Sequence, residues 1–109
     1  MLIERVRSVL AGRADVVEKQ MVGGRSYMIS GRLAVGVVGE ELMVRLEGSD
    51  YEQALDDPHV RPMTMGGRPL KNYLLVAAAA VDTDADLDRW ISRATRPESG
   101  SPSAGQRRS

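Results

Sequence analysis

Cysteine and phenylalanine are absent from the 109 residues, and the chain holds one tryptophan, one histidine and three tyrosines. Without thiols there can be no disulfide, no Fe–S cluster, no cysteine-ligated zinc and no thiolate nucleophile. The single histidine, His59, leaves no multi-histidine metal centre, so no metal and no cofactor is expected. Lacking Phe, a core must be assembled from Val, Leu, Ile, Met and Ala, which a hydrophobic content of 42% permits. An excess of either charge is missing too. Fifteen Lys and Arg stand against fifteen Asp and Glu, which gives no global field toward nucleic acid or an anionic membrane. Long apolar runs are missing as well. The longest, Tyr73 to Val81, falls far short of the roughly 20 residues a membrane span needs. Glu4, Arg5 and Arg7 interrupt the apolar start of the chain, so it has no export-signal core. A cytoplasmic location is the expectation.

What is present is enough for one small domain. Leu2, Ile3, Val6, Val9 and Leu10 fall at helical spacing and predict a first helix, stopped by Gly12. From Asp15 the pattern turns β-branched and alternating. Strands are predicted over Val16–Val22, Arg25–Ser30, Leu33–Val38 and Leu42–Glu47, with turns at Gly23-Gly24, Ser30-Gly31 and Gly39-Glu40. In the last of these, Leu42, Val44 and Leu46 are expected inward, and Met43, Arg45 and Glu47 outward. Such short turns imply an antiparallel meander. Ser49 with Glu52 has the form of a capping box opening a short helix that ends by Asp57-Pro58. Strands over Arg61–Met65 and Asn72–Ala77 flank the turn Gly66-Gly67. Thr83 with Asp86 opens a last helix carrying Leu87, Trp90, Ile91 and Ala94 on one side. The order is helix, meander, helix, hairpin, helix: an α+β domain over residues 1–96, a two-layer antiparallel sheet with helices on one face. Residues 97–109 hold nothing aliphatic larger than Ala104 and are expected to form a disordered tail.

Few constellations suggest chemistry. Asp82, Asp84, Asp86 and Asp88 have the spacing of a calcium loop, but Leu87 and Arg93 stand where that loop needs Gly and Glu. Carboxylates in a helix's first turn explain them. His59 lies in a loop beside Asp57 with no nucleophile-elbow serine in the chain, so no catalytic residue is assigned and no enzyme is expected. Gly23-Gly24-Arg25 and Gly66-Gly67-Arg68 each join a double glycine to a guanidinium, a combination able to cradle an anion. Neither fits a dinucleotide or P-loop pattern. Arg89, Arg93 and Arg96 form one basic helix face, but without interleaved aromatics direct nucleic-acid binding is not expected.

The run Met21-Val22-Gly23-Gly24-Arg25-Ser26-Tyr27-Met28-Ile29-Ser30-Gly31-Arg32, followed by the apolar Leu33 to Val38, resembles the opening of the TfoX N-terminal domain family. The resemblance continues through Leu42 to Leu46, Tyr51 to Leu55, Met63-Thr64-Met65-Gly66-Gly67-Arg68-Pro69-Leu70-Lys71, and Asp86-Leu87-Asp88-Arg89-Trp90. It departs at Val22, where the family often has Phe, and at Asn72, where glycine is common. It implies a secretion-chaperone-like arrangement of antiparallel sheet and helices, without the second domain of the longer TfoX/Sxy competence regulators. It implies a regulatory or interaction role; together with the missing catalytic machinery, it makes a non-enzymatic module with a protein partner of unspecified identity, monomer or homodimer, the expectation. Gly23, Gly24, Arg45, Arg68 and Lys71 are the candidate binding residues. A small-molecule or anion site formed by Arg45, Arg68 and Lys71 is the alternative.

Overall fold

Turns of two residues leave no length for a crossover, so strands joined by them must pair antiparallel. The computed structural model, which describes residues 2–21 and 23–95, contains one six-stranded sheet built this way. Helix α1 (Leu2–Leu10) leads into β1 (Val16–Met21), β2 (Gly24–Ile29), β3 (Arg32–Val38) and β4 (Glu41–Arg45). Then come α2 (Gly48–Ala54), the hairpin β5 (Val60–Met65) and β6 (Arg68–Val76), a 3₁₀ turn over Ala78–Val81, and α3 (Asp84–Ala94). Across the sheet the order is β1-β2-β3-β4-β6-β5. The hairpin enters by its second strand, which leaves β1 and β5 at the edges.

The helices cover one face. Val6 and Leu10 of α1, Ala54 of α2, Val81, and Leu87, Trp90 and Ile91 of α3 form one buried cluster with inward residues of the sheet. Tyr27, Val35, Val37, Leu42, Val44, Leu74 and Val76 supply the strand side. The large residue in this Phe-free core is Trp90, 5% exposed, with the Arg93 guanidinium 4.6 Å from its ring centroid. Thr83 caps α3 as its sequence suggests, accepting a bond from Asp86 N at 3.0 Å.

Three local expectations need correcting. Helix α2 begins at Gly48 with Glu47 at its N-cap, not Ser49, because Glu47 O already accepts from Asp50 N and Tyr51 N. Strand β6 starts at Arg68, four residues before the expected Asn72, because Arg68 and Pro69 already pair with Met65 and Thr64 across the turn, and Ala78–Val81 beyond it winds into a 3₁₀ turn. Met43 occupies the face away from the helices, as alternation requires, yet is 1% exposed. Asn72, in the position where the resembling family favours glycine, has φ of 72°. That left-handed backbone suits Gly best and Asn next, so the departure is a conservative one. Residues from Arg96 onward, including the expected tail and the last arginine of the basic face, lie outside the described residues.

Candidate functional site

The candidate residues fall at two ends of the sheet. Gly23 lies in the β1–β2 turn and Gly24 opens β2 opposite Met21, beside the β3–β4 turn, where Gly39 N donates to Gly23 O at 3.1 Å. Arg45 ends β4 at the opposite end, paired with Tyr73 in the ladder and bridged to Glu47. Lys71 is exposed two residues before Tyr73, and Arg68 five residues before it, at the β5–β6 turn. At a rise of about 3.3 Å per residue, that puts roughly 16 Å of strand between the Arg45 and Arg68 positions. The five residues form no single cleft.

Gly24 also has a purely architectural requirement. A Cβ there would lie 1.6 Å from the Val37 carbonyl oxygen and 2.7 Å from its carbon, so only glycine lets β2 and β3 approach this closely. Gly23, at φ of 84°, takes a backbone that favours glycine.

A polar cluster unseen in the sequence sits where α1 meets the β1–β2 edge. Glu18 accepts from Arg7 Nε at 2.8 Å and from a terminal Arg7 nitrogen at 2.6 Å, and Arg25 approaches it at 3.7 Å. The Arg7 hydrogen bond, then its charge, hold the Glu18 carboxyl below its ordinary range, while Glu18 raises the Arg7 pKa. Tyr27 lies behind them, 1% exposed, and among the described residues its hydroxyl has no hydrogen-bond partner. Burial, and secondarily the Glu18 charge, push its pKa up. These partners are distant in sequence, so spacing gave no signal. A second cluster fastens two loops: Asp15 accepts from Arg13 twice at 3.0 Å and from Ser30 Oγ at 2.6 Å. A cleft of about 360 Å³ lies between the start of α1, the β3–β4 turn and the 3₁₀ turn. Its Arg5 is already directed at the Asp82 carbonyl (3.2 Å) and Asp84.

The middle of the sheet face away from the helices is covered by its own side chains. Three of them each reach over one intervening strand. Met21 crosses β2, its methyl and that of Met43 lying 3.2 and 2.8 Å from where a Cβ of Gly36 would sit. Tyr73 crosses β4 to donate to Leu33 O at 3.3 Å. Arg61 crosses β6 to pair with Glu41. On this face Met43 and Leu75 are at most 8% exposed, although neither belongs to the cluster that the helices form. Long side chains folding over apolar surface thus substitute for a second layer.

The two sheet edges differ. Ala77 N donates to His59 O at 2.8 Å, so by alternation Val60 and Pro62 turn their backbone groups outward. Pro62 has no N–H, and a register shift follows it, so β5 is a blunted edge. On β1, Ser30 N donates to Asp15 O at 2.9 Å, so Val16, Glu18 and Gln20 point outward, each with donor and acceptor intact. Val17, 55% exposed, stands beside them.

Among the described residues no group of His, Asp and Glu has metal-site geometry, and no helix is long and apolar enough to cross a membrane. A family model, the TfoX N-terminal domain, matches residues 8–97. No curated protein and no solved structure matches.

Proposed function

For a chain that belongs to the TfoX N-terminal domain family, we propose a non-enzymatic, cytoplasmic regulatory module that binds protein partners by strand addition at β1. The observation carrying this is the contrast between the edges: β5 is blocked by Pro62, whereas β1 offers three outward residues whose backbone groups pair with no strand among the described residues. Main-chain hydrogen bonds from an added strand supply affinity, and side chains flanking the edge supply selectivity. The self-covered face supports the edge reading over the face, since a partner there would first have to displace Met21, Tyr73 and Arg61.

The test copies the β5 device onto β1. Gln20 is exposed and its N–H points outward, so Gln20→Pro removes one docking donor without removing an internal ladder bond. Affinity capture from native lysate, at several salt concentrations, is compared for the two proteins. A reproducible set of proteins held by the unaltered chain and lost with Gln20→Pro supports the proposal. No reproducible set, or one indifferent to the proline, refutes it.

A further inference from the structure

We infer that β1 also pairs with β1 of a second copy of this chain, antiparallel across a two-fold axis at Val17, making one continuous twelve-stranded sheet. The inference rests on the strand-addition reading of the same edge and names one occupant for it. In a symmetric antiparallel pair the outward residues Val16, Glu18 and Gln20 hydrogen-bond to one another; axes at Val16 and Gln20 engage just one of the three, which leaves the axes at Val17, Glu18 and Lys19 as the registers that engage two or more. An axis at Glu18 opposes two glutamates, each already held by its Arg7, and sets Lys19 against Val17, so the lysine gains no carboxylate. An axis at Lys19 opposes two lysines, and among the described residues Lys19 makes no ion pair to neutralise it. Directly opposed like charges destabilise a ladder.

The axis at Val17 has neither fault. It sets Val17 against Val17 of the second copy and Val16 against Glu18, and it places Lys19 opposite Asp15 twice. Among the described residues, the one large hydrophobic side chain that stands more than half exposed would thus be covered. The unpaired cation would gain a carboxylate held ionised by Arg13 and Ser30. The paired stretch is only residues 15–19 on each copy, a small interface, so association is concentration dependent.

Oligomeric state and a cross-link test this together. Sedimentation equilibrium over a wide concentration range is expected to give up to twice the 11.9 kDa chain mass. Val17→Lys, on an exposed position, should leave the melting temperature at low concentration unchanged and abolish the dimer. Because the chain has no cysteine, Val17→Cys provides a register-specific probe. A non-hydrogen-bonded antiparallel pair has Cα atoms about 4.5 Å apart, within the disulfide range of about 4.4–6.8 Å. Oxidised glutathione should therefore link Val17→Cys into a covalent dimer. It should not link Gln20→Cys, whose copies sit roughly 20 Å apart along the strands. A chain that stays monomeric, or Gln20→Cys linking as readily as Val17→Cys, overturns the inference. Gln20 lies outside the paired stretch, so the two readings separate. Monomers whose partner capture is still lost with Gln20→Pro end self-pairing alone. Dimers with capture indifferent to that proline end the partner reading alone.

Discussion

Replacing Gly24 by alanine adds a single methyl group, and the structure gives it nowhere to go. Its Cβ would lie 1.6 Å from Val37 O, 2.7 Å from Val37 C and 3.3 Å from Val38 Cα, all of them backbone atoms of β3. A neighbouring side chain could rotate away, but a strand cannot. The strands must part by roughly 1.5 Å even to reach a tight carbon–oxygen contact, which stretches adjacent ladder bonds beyond hydrogen-bonding range. The Arg25–Val37 pair and the Gly39–Gly23 bond are the ones at risk. Overpacking costs about 1–3 kcal/mol, and two weakened hydrogen bonds add about 0.5–1.5 kcal/mol each. The sum, about 4 kcal/mol, is a large part of the roughly 5–15 kcal/mol that holds a small domain together. Each kcal/mol lowers Tm by about 4–8 °C at this size, so a fall of about 15 °C or more is expected by circular dichroism. Gly12→Ala is the control, since nothing lies within 4 Å of its added Cβ, and its Tm should stay within about 2 °C of the parent. A Gly24→Ala protein that melts with the control would show that the β2–β3 contact is not what demands glycine.

Further outcomes follow from other sites. Trp90→Ala should cost about 3–5 kcal/mol by removing the large side chain of a Phe-free core, read by chemical denaturation; a loss below 1 kcal/mol would contradict its burial. Asn72→Val should cost about 1–2 kcal/mol, because a β-branched residue resists the left-handed backbone there, whereas Asn72→Gly should be neutral or stabilising; equal effects of the two would refute the argument. The Asp15 carboxyl is held below its ordinary pKa, first by the Arg13 hydrogen bond and then by Ser30. Its contribution is therefore complete above the usual carboxylate range and lost as pH falls through the depressed value. Melting curves from neutral pH down to strong acid should show Asp15→Asn differing most at neutral pH, the gap narrowing in acid; a gap constant with pH would exclude the ion pair. Tyr73→Phe removes the bond to Leu33 O and should cost about 0.5–1.5 kcal/mol, measured by urea unfolding.

Local rules carried the sequence reading a long way. Period-two alternation marked β4, β-branched and apolar runs between glycine turns marked the other strands to within four residues, two-residue turns indicated antiparallel pairing, and Thr83 marked the start of α3, because each of these depends on residues a few positions apart. The sequence also pointed at Gly23-Gly24, although as a possible anion cradle, since a composition of glycine and arginine looks the same whether it serves a ligand or a tight turn. Where neighbours compete for one role, local rules lost resolution: Ser49 was the better capping residue on paper, but the Glu47 carbonyl captured the first helical amides.

Tertiary structure alone decided what long-range pairing decides. The burial of Met43 could not be read from alternation, which gives its face but not the Met21 side chain that meets it over Gly36 from a strand far along the chain. The Arg7–Glu18–Arg25 cluster and the separation of Arg45 from Arg68 depend on register and on how the β5–β6 hairpin enters the sheet. That entry, by β6 and not β5, also chose the edges. Pro62 is an obstacle only because β5 is outermost and its nitrogen points away from β6, and β1 is open only because nothing in the described chain returns to pair with it. The sequence by itself determined the elements, since backbone propensity and hydrophobic period are local. Which strands lie at the edges was set by strand order, which is not.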